Sequence, residues 1–315
     1  MNAVTAMAPA KLNLTLGVGP RGADGYHPLS TVFQSIDLWD TVNVQLSDTP
    51  GVRISVTGRD AERVPLDETN LAARAAVALA QRLGVEPALE IEIEKSIPVA
   101  GGLAGGSADA AATLVACNEL WRVGSTGRAG IGLYGMLALA ASLGADVPFA
   151  LVGGCALGTG RGERLERLAT GAETWWIAIT SQSGLSTPAI FAAWDRTQPG
   201  DGGAATAAAR TGLGLARPVE MIRAIARGDQ QATGRYLAND LQACAIAAAP
   251  EIAGRLDAML EAGALGAVVT GSGPTVIGLA DTFQAAQRIA AQVSQTEQLD
   301  AVIVGGAVDV GAHLA

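Results

Sequence analysis

The sequence predicts an α+β fold in two domains. Segments in which apolar and polar residues alternate are interspersed with segments of helical spacing, and 315 residues suit two domains of modest size or one large domain. Near the C-terminus the pattern predicts strands at 266–270 and 275–280, a helix at 282–294 and a strand at 300–305, which together form a split β-α-β unit. We expect a boundary near residue 165, which gives domains 1–165 and 166–315.

The remaining elements follow from the same two periodicities. Alternation predicts strands at 8–18, 30–37, 41–47, 52–57, 88–94, 155–160 and 175–180. Helical spacing predicts helices at 67–83, 107–120, 129–143, 217–227, 230–241 and 250–262. The first of these helices should be capped near Thr69 or Asn70, and the third should end at Gly144. Residues 197–214 are low in complexity and are predicted to form a flexible surface insertion.

Composition and motifs exclude several classes of function. A net charge of −9 with no basic stripe argues against a nucleic-acid partner, and no apolar run is long enough to cross a membrane. Two histidines and the absence of HExxH and GxSxG motifs remove the usual marks of zinc-dependent and serine hydrolases. Three dispersed cysteines indicate a reducing compartment. We expect a cytoplasmic protein, a monomer or a weak homodimer, that binds neither nucleic acid nor membrane.

A glycine-rich segment predicts a phosphate-binding loop. Glycines let a ligand approach the main chain closely, and the N-terminus of the helix that follows favours an anion. The alternative is a flexible connector capped by Ser107. The segment is not a Walker A loop, because it holds no lysine, and the GxGxxG at 17–22 is rejected as a dinucleotide site because turn residues follow it. The predicted phosphate-binding residues are Pro98, Val99, Ala100, Gly101, Gly102, Leu103, Ala104, Gly105, Gly106, Ser107 and Ala108.

Lys11 and Asp146 are the candidate catalytic pair. Phosphoryl transfer needs a cation against the spreading charge and a group that accepts or positions the proton of the nucleophile. The chain contains only two lysines, Lys11 and Lys95, one near the N-terminus and one just before the glycine-rich segment. Asp146 lies in a loop beside strongly apolar sequence, where a carboxylate must be paired or face a cavity. The alternatives are an exposed strand lysine and an aspartate that caps a helix or turn.

Several separated segments resemble the GHMP kinase superfamily. The pattern Pro-x-x-x-Gly-Leu-x-x-Ser-Ser/Ala-Ala is closely similar to residues 98–108, and residues 270–275 resemble the third motif of that family. Segments 9–14, 23–27 and 143–148 resemble one branch, whose acceptor is a methylerythritol linked to cytidine diphosphate in non-mevalonate isoprenoid biosynthesis. The likeness covers nearly the whole chain except residues 197–214.

The resemblance implies a fold and a reaction. It implies an N-terminal domain similar to ribosomal protein S5, a C-terminal ferredoxin-like domain, and transfer of the ATP γ-phosphate to the tertiary 2-hydroxyl of the cytidine-diphosphate-linked substrate. By analogy Asp146 accepts the hydroxyl proton, and Lys11 keeps that carboxylate ionised and steadies the oxygen.

The resemblance also implies two sets of binding residues. Mg²⁺ is expected with ATP. No protein residue is assigned as its ligand, although Ser107 is a candidate. The glutamate that binds the metal in some superfamily members has no counterpart in this sequence. The implied ATP contacts beyond the loop are Lys95, Asn70 and Leu71. The implied substrate contacts are a cytosine sandwich of Tyr26 and Phe191, the cytosine edge at His27, polar contacts at Asn13 and Thr187, and the turn Gly271, Ser272 and Gly273. Taken alone, each aromatic residue is more often part of a core.

The glycine-rich loop departs from the family pattern at two positions. Ala100 and Ala104 replace glycines often seen there, and alanine fits only if φ is negative at both positions. Three alternatives remain at this stage. They are another GHMP kinase of mevalonate or homoserine type, a diphosphomevalonate decarboxylase of the same superfamily, and a non-catalytic binding protein on a kinase fold.

Overall fold

The computed structural model describes residues 2–99, 101–124, 130–181, 184–198, 214–295 and 301–315, which form two β-sheets with helices packed against them. The strands are β1 (Ala3–Val18), β2 (Leu29–Leu46), β3 (Gly51–Gly58), β4 (Ala88–Lys95), β5 (Cys155–Gly160), β6 (Arg164–Arg167), β7 (Trp175–Thr180), β8 (Ala238–Asn239), β9 (Ala267–Val269), β10 (Val276–Ala280), β11 (Ala301–Gly306) and β12 (His313–Leu314). The helices are α1 (Leu71–Leu83), α2 (Gly105–Gly124), α3 (Leu133–Leu143), α4 (Val147–Val152), α5 (Thr187–Thr197), α6 (Val219–Arg227), α7 (Gln230–Arg235), α8 (Gln242–Ala248), α9 (Glu251–Glu261) and α10 (Phe283–Val293).

The first sheet is built on the long antiparallel pair of β1 and β2. Its order is β12-β1-β2-β4-β3, with β5 also paired to β2, β6 paired to β5 and β8 paired to β1. Because β8 and β12 come from the C-terminal half of the chain, main-chain hydrogen bonds join the two halves as well as side-chain packing. This arrangement holds β1, which carries Lys11 and Asn13, inside the first sheet between β12 and β2.

Helix α2 packs across the first sheet through small side chains. Ala110, Ala112, Leu114 and Cys117 on this helix are all buried in the core that β1, β2 and β4 also line. Alanine at these positions lets the helix lie close to the sheet and loses little side-chain entropy. The first turn of α2 is thereby placed on a rigid support.

The second sheet has the order β11-β7-β10-β9 and confirms the predicted split β-α-β unit. Strands β10 and β11 are joined by α10, and antiparallel β7 lies between them. The sheet has its own core, in which Ile177 and Ile179 pack with Ile252 and Met259 of α9. The α+β class predicted from the periodicities is confirmed.

Several predicted boundaries are wrong for identifiable reasons. The strands predicted at 30–37 and 41–47 form one strand, β2, which pairs with β1 past the register shift between Pro9 and Ala10. The helix predicted at 230–241 ends at Arg235, because Asn239 pairs with β1 and its side-chain amide donates to the carbonyls of Val269 and Gly271. Helices α4, α5 and α8 and strands β6, β8 and β12 were not predicted.

Other predictions are confirmed or lie outside the described residues. Asn70 caps α1, since its side chain accepts a hydrogen bond from the Ala72 amide. Residues 17–22 do not lead into a helix, and the Gly22 amide instead closes a turn onto the Tyr26 carbonyl. Most of the predicted insertion, residues 199–213, lies outside the described residues, as does Ala100.

No helix within the described ranges combines the length and the apolar character needed to cross a lipid bilayer.

Candidate active site

Strand β1 and the start of α4 bring Lys11 and Asp146 together. The Lys11 Nζ lies 3.4 Å from Asp146 Oδ2 and donates a 2.6 Å hydrogen bond to Asn13 Oδ1. Lys11 is buried, whereas the Asp146 side chain is 34% exposed. The pair therefore consists of a fixed cation and a carboxylate that a ligand can reach.

Asp146 occupies the N-cap position of α4 without capping it. Its main-chain carbonyl accepts from the Ala150 amide, but its carboxylate makes no capping hydrogen bond. Pro148 near the start of α4 has no amide hydrogen, which reduces the demand for a cap. The simple capping role does not account for this carboxylate, which is left facing Lys11.

The glycine-rich loop lies directly against the same part of β1. The Lys11 amide donates a 3.2 Å hydrogen bond to the Leu103 carbonyl. Gly102 has φ +78°, and a Cβ at this position would lie 2.8 Å from the Thr270 carbonyl oxygen. Only glycine satisfies both the backbone conformation and the close approach, so the loop is wedged between β1 and the 270–275 turn.

Helix α2 begins at Gly105, two residues earlier than predicted. The amides of Ser107 and Ala108 both donate to the Ala104 carbonyl, so Ala104 takes the N-cap position and Ser107 lies inside the first turn. The alternative in which Ser107 caps the helix is therefore wrong. Gly105 and Gly106 open the helix without side chains, and the main chain at exposed Gly106 can be approached by an anion.

Ala104 adopts a backbone conformation that contradicts the prediction. Its φ is +60°, in the left-handed region, where we expected a negative value. This conformation costs an L-residue about 1–2 kcal/mol, and the surrounding contacts of the loop and of α2 must supply that energy.

The 270–275 turn and the start of α5 complete one wall of the site. The main-chain amide of Asn13 donates a 2.8 Å hydrogen bond to Thr270 Oγ1, and the hydroxyls of Thr187 and Ser272 are 2.8 Å apart. A Cβ at Gly271 would lie 3.5 Å from Asn13 Oδ1. The predicted substrate residues Asn13, Thr187, Gly271 and Ser272 are thus brought together, with Gly273 in the same turn.

His27 and Phe191 lie together further along this wall. Their rings stack with centroids 5.1 Å apart. His27 Nδ1 is 2.9 Å from the Gly19 carbonyl oxygen, and its Nε2 is 3.3 Å from Asp195 Oδ1. Thr187, Phe191 and Asp195 are spaced four residues apart along α5, which puts them on one face of the helix. Asp195 was not predicted, although this spacing was visible in the sequence.

Tyr26 makes a contact that was not predicted. The residue is 56% exposed, and the Arg161 guanidinium carbon lies 4.9 Å from the ring centroid, a cation–π geometry. Arg161 lies in the turn between β5 and β6, next to Gly162, where a Cβ would be 3.9 Å from the Ala145 carbonyl oxygen. The side chain of Arg161 thus contacts Tyr26, and the next residue in the same turn borders the Asp146 loop. No sequence signal pointed to it, and the Tyr26–Phe191 sandwich stays a prediction.

The three further residues predicted on the ATP side have different surroundings. Leu71 borders the loop, since its Cδ1 would lie 3.6 Å from a Cβ at Gly106. The Asn70 side chain is occupied in capping α1 and in donating to the Pro65 carbonyl. Lys95 was expected to border the adenine, but its side chain is only 1% exposed. It is bound to Asp40 and Asp109 beneath the loop. Its ammonium is directed to these two carboxylates and not to solvent.

The described residues hold no group of three or more His, Cys, Asp or Glu side chains that could bind a metal ion.

Comparison with known proteins adds the family. Residues 70–154 match the GHMP kinases N terminal domain, and residues 221–298 match the family GHMP kinases C terminal. The chain is 49% identical over 288 residues to the 4-diphosphocytidyl-2-C-methyl-D-erythritol kinase of Kineococcus radiotolerans, covering 91% of this chain and 84% of that protein. It is 44% identical to the enzyme of the same name from Mycolicibacterium smegmatis, covering 99% of this chain and 92% of that one.

Solved structures agree on the fold. A crystal structure of 4-(cytidine 5'-diphospho)-2C-methyl-D-erythritol kinase superposes with a TM-score of 0.70 at 30% identity, over 96% of this chain and 98% of that one. A homoserine kinase from Cytophaga hutchinsonii has a TM-score of 0.76 at 23% identity, over 100% and 98% of the two chains, which shows the fold alone. The expected GHMP fold and ATP-dependent kinase class are confirmed, and this chain belongs to the 4-diphosphocytidyl-2-C-methyl-D-erythritol kinase family of the GHMP kinases.

Proposed function

We propose that this chain transfers the γ-phosphate of ATP to the 2-hydroxyl of 4-diphosphocytidyl-2-C-methyl-D-erythritol. The observation that carries the proposal is the meeting of three elements at one place. Lys11 contacts Asp146 through its side chain and Leu103 of the glycine-rich loop through its amide. A nucleotide held by the loop would therefore present its terminal phosphate beside an acid and an ammonium, which is the arrangement that phosphoryl transfer to an alcohol requires.

In this proposal Asp146 accepts the proton of the acceptor hydroxyl. Its carboxylate makes no hydrogen bond that caps α4 and is partly exposed, so a hydroxyl can approach it. Lys11 is fixed by Asn13 and by Asp146, so its ammonium is oriented before the substrate binds. A preorganised cation at this point would stabilise the negative charge that develops on the attacking and transferred oxygens.

The ATP phosphates would be bound by main-chain amides of residues 101–106, in the loop and at the first two positions of α2. Side chains are absent at Gly105 and Gly106, and a Cβ at exposed Gly106 would meet no atom nearer than 3.6 Å. This space and the partial positive charge of the helix N-terminus suit the phosphate groups. Mg²⁺, which we propose accompanies ATP, would neutralise phosphate charge when bound. Ser107 is the candidate protein ligand, and phosphate oxygens and water would supply the rest.

The cytidine end of the acceptor would lie along α5. His27 and Phe191 offer a stacked aromatic surface and a ring edge, and Tyr26 offers a second aromatic ring. Arg161 contacts Tyr26, and its turn borders the Asp146 loop at Gly162, so its guanidinium would bind the diphosphate that joins the two ends of the substrate. Asn13 and Thr187 would make polar contacts between these points. The acceptor would thus run from Asp146 to His27.

A coupled assay of ADP release tests this function. The purified protein is given Mg·ATP with the cytidine-linked methylerythritol, and in parallel with mevalonate, homoserine or galactose. Turnover with the first acceptor alone supports the proposal. Turnover with one of the others instead, or release of carbon dioxide from diphosphomevalonate, would assign the chain a different reaction on the same fold.

A further inference from the structure

Lys95 lies in a buried cluster of charges beneath the glycine-rich loop. Its ammonium donates a 2.7 Å hydrogen bond to Asp109 Oδ2 and also binds Asp40 Oδ2. All three side chains are almost wholly buried, with at most 4% exposed. The Asp109 Oδ1 atom has no hydrogen-bond partner among the described residues, and the carboxylate accepts the Lys95 hydrogen bond at Oδ2.

The cluster connects the two ends of the loop. Asp40 Oδ1 accepts hydrogen bonds from the amides of Ser96 and Ile97, at 2.7 and 2.9 Å, where the chain enters the loop. Asp109 lies in α2, just after the chain leaves the loop. A Cβ at Gly105 would lie 3.0 Å from the Lys95 Nζ, so the ammonium packs directly against the first residue of α2. Lys95 therefore links the chain segment before the loop to the helix after it.

The cluster keeps Lys95 charged in spite of its burial. Burial disfavours the Lys95 ammonium, but attraction to Asp109 and Asp40 outweighs this and raises the pKa of Lys95 above its ordinary value. Burial raises the pKa of Asp109 to about 7, although the attraction of Lys95 opposes that rise. A buried ion pair left without one partner is strongly destabilising, so each group depends on the other.

We propose that Lys95 is a positioning residue for the nucleotide. Held by Asp40, it anchors Asp109 and so fixes the first turn of α2 and the loop amides in the geometry that binds ATP phosphates. This inference rests on the proposed function, in which the loop binds ATP. It assigns Lys95 a place in the ATP site that differs from the adenine contact predicted from the sequence.

Asp109→Ala is the variant that tests this link. Removing Lys95 itself would leave two carboxylates buried without a cation and threaten folding, whereas Asp109→Ala leaves the Lys95–Asp40 pair with no net charge. Asp109→Asn retains an oxygen that can accept from Lys95 and serves as the rescue. Glu90→Gln is the control. Glu90 lies on β4, the strand that carries Lys95, but it forms an exposed ion pair with Arg53.

The readouts are the Kd of Mg·ATP by calorimetry without acceptor, and the KM of each substrate. We expect Asp109→Ala to raise the Kd and KM for ATP about tenfold, the worth of one hydrogen bond to a charged group, while Asp109→Asn and the control stay within about twofold of wild type. The KM for the acceptor should not change.

Three results would overturn the inference. They are an unchanged ATP Kd in Asp109→Ala, an equal rise in the KM of both substrates, and an Asp109→Asn variant as impaired as Asp109→Ala. Wild-type protein that binds no ATP would instead overturn the proposed function.

Discussion

Lys11 and Asp146 lie 3.4 Å apart although they come from the first strand and from the loop before α4. We expect Lys11→Met to lower kcat about 10²–10³-fold, the usual cost of losing a preorganised charge-stabilising donor in an active site. Steady-state ADP release measures this effect. Arg53→Met removes an exposed cation on β3 and should leave kcat unchanged. A Lys11→Met variant with wild-type kcat would exclude Lys11 from the transfer step.

Ala104 offers a test of strain in the loop. Ala104→Gly should raise the free energy of unfolding by about 0.5–1 kcal/mol, because relief of the left-handed strain exceeds the extra entropy that glycine gives the unfolded chain. Ala138→Gly, on an exposed position of α3, should instead lower it by about 1 kcal/mol. Urea unfolding curves compare the two variants. Equal destabilisation by both would show that Ala104 is not strained.

Asp195 is expected to act on the acceptor through His27. Asp195→Asn removes the carboxylate that lies 3.3 Å from the His27 Nε2. It should raise the KM for the cytidine-linked substrate about five- to tenfold, because a less firmly oriented His27 would hydrogen-bond the cytosine edge more weakly. The KM for ATP should stay constant. Asp257→Asn changes an exposed aspartate on α9 and is the control. If both KM values of Asp195→Asn match wild type, Asp195 does not orient His27 for substrate.

Arg161 is expected to bind the diphosphate of the acceptor. Arg161→Gln should raise the KM for that substrate about tenfold or more, because a charged hydrogen bond to phosphate is lost, and should weaken the dependence of KM on salt. Arg164→Gln changes an arginine of the same hairpin whose side chain is 79% exposed, and it should behave as wild type. Equal effects of the two substitutions would reduce Arg161 to a contributor to the general surface charge.

Local sequence patterns predicted much of the fold and part of the site. Alternation along β1 put Lys11 and Asn13 on one face, and the structure joins them by a hydrogen bond. The cap at Asn70 and the split β-α-β unit were also predicted correctly. These features depend on periodicity or on neighbours within a few residues, which the sequence displays directly.

Features that depend on distant partners could not be predicted. The partners of Lys95 come from β2 and α2, so nothing near Lys95 in the chain showed that its ammonium would be buried. The left-handed conformation of Ala104 is imposed by the packing of the loop, against the local preference of alanine. The two-residue strand β8 exists only because β1 offers it an edge, so helical spacing at 230–241 was misleading there.

The Asp146→Asn variant tests the central claim most directly. The substitution keeps the shape of the side chain but removes its basicity, so ADP release with the cytidine-linked acceptor should fall about 10²–10⁴-fold, the usual contribution of a general base. The Kd for Mg·ATP, measured on the same preparation, should remain that of wild type. Turnover near the wild-type rate would contradict the account, because the proton of the acceptor hydroxyl would then be taken by some other group.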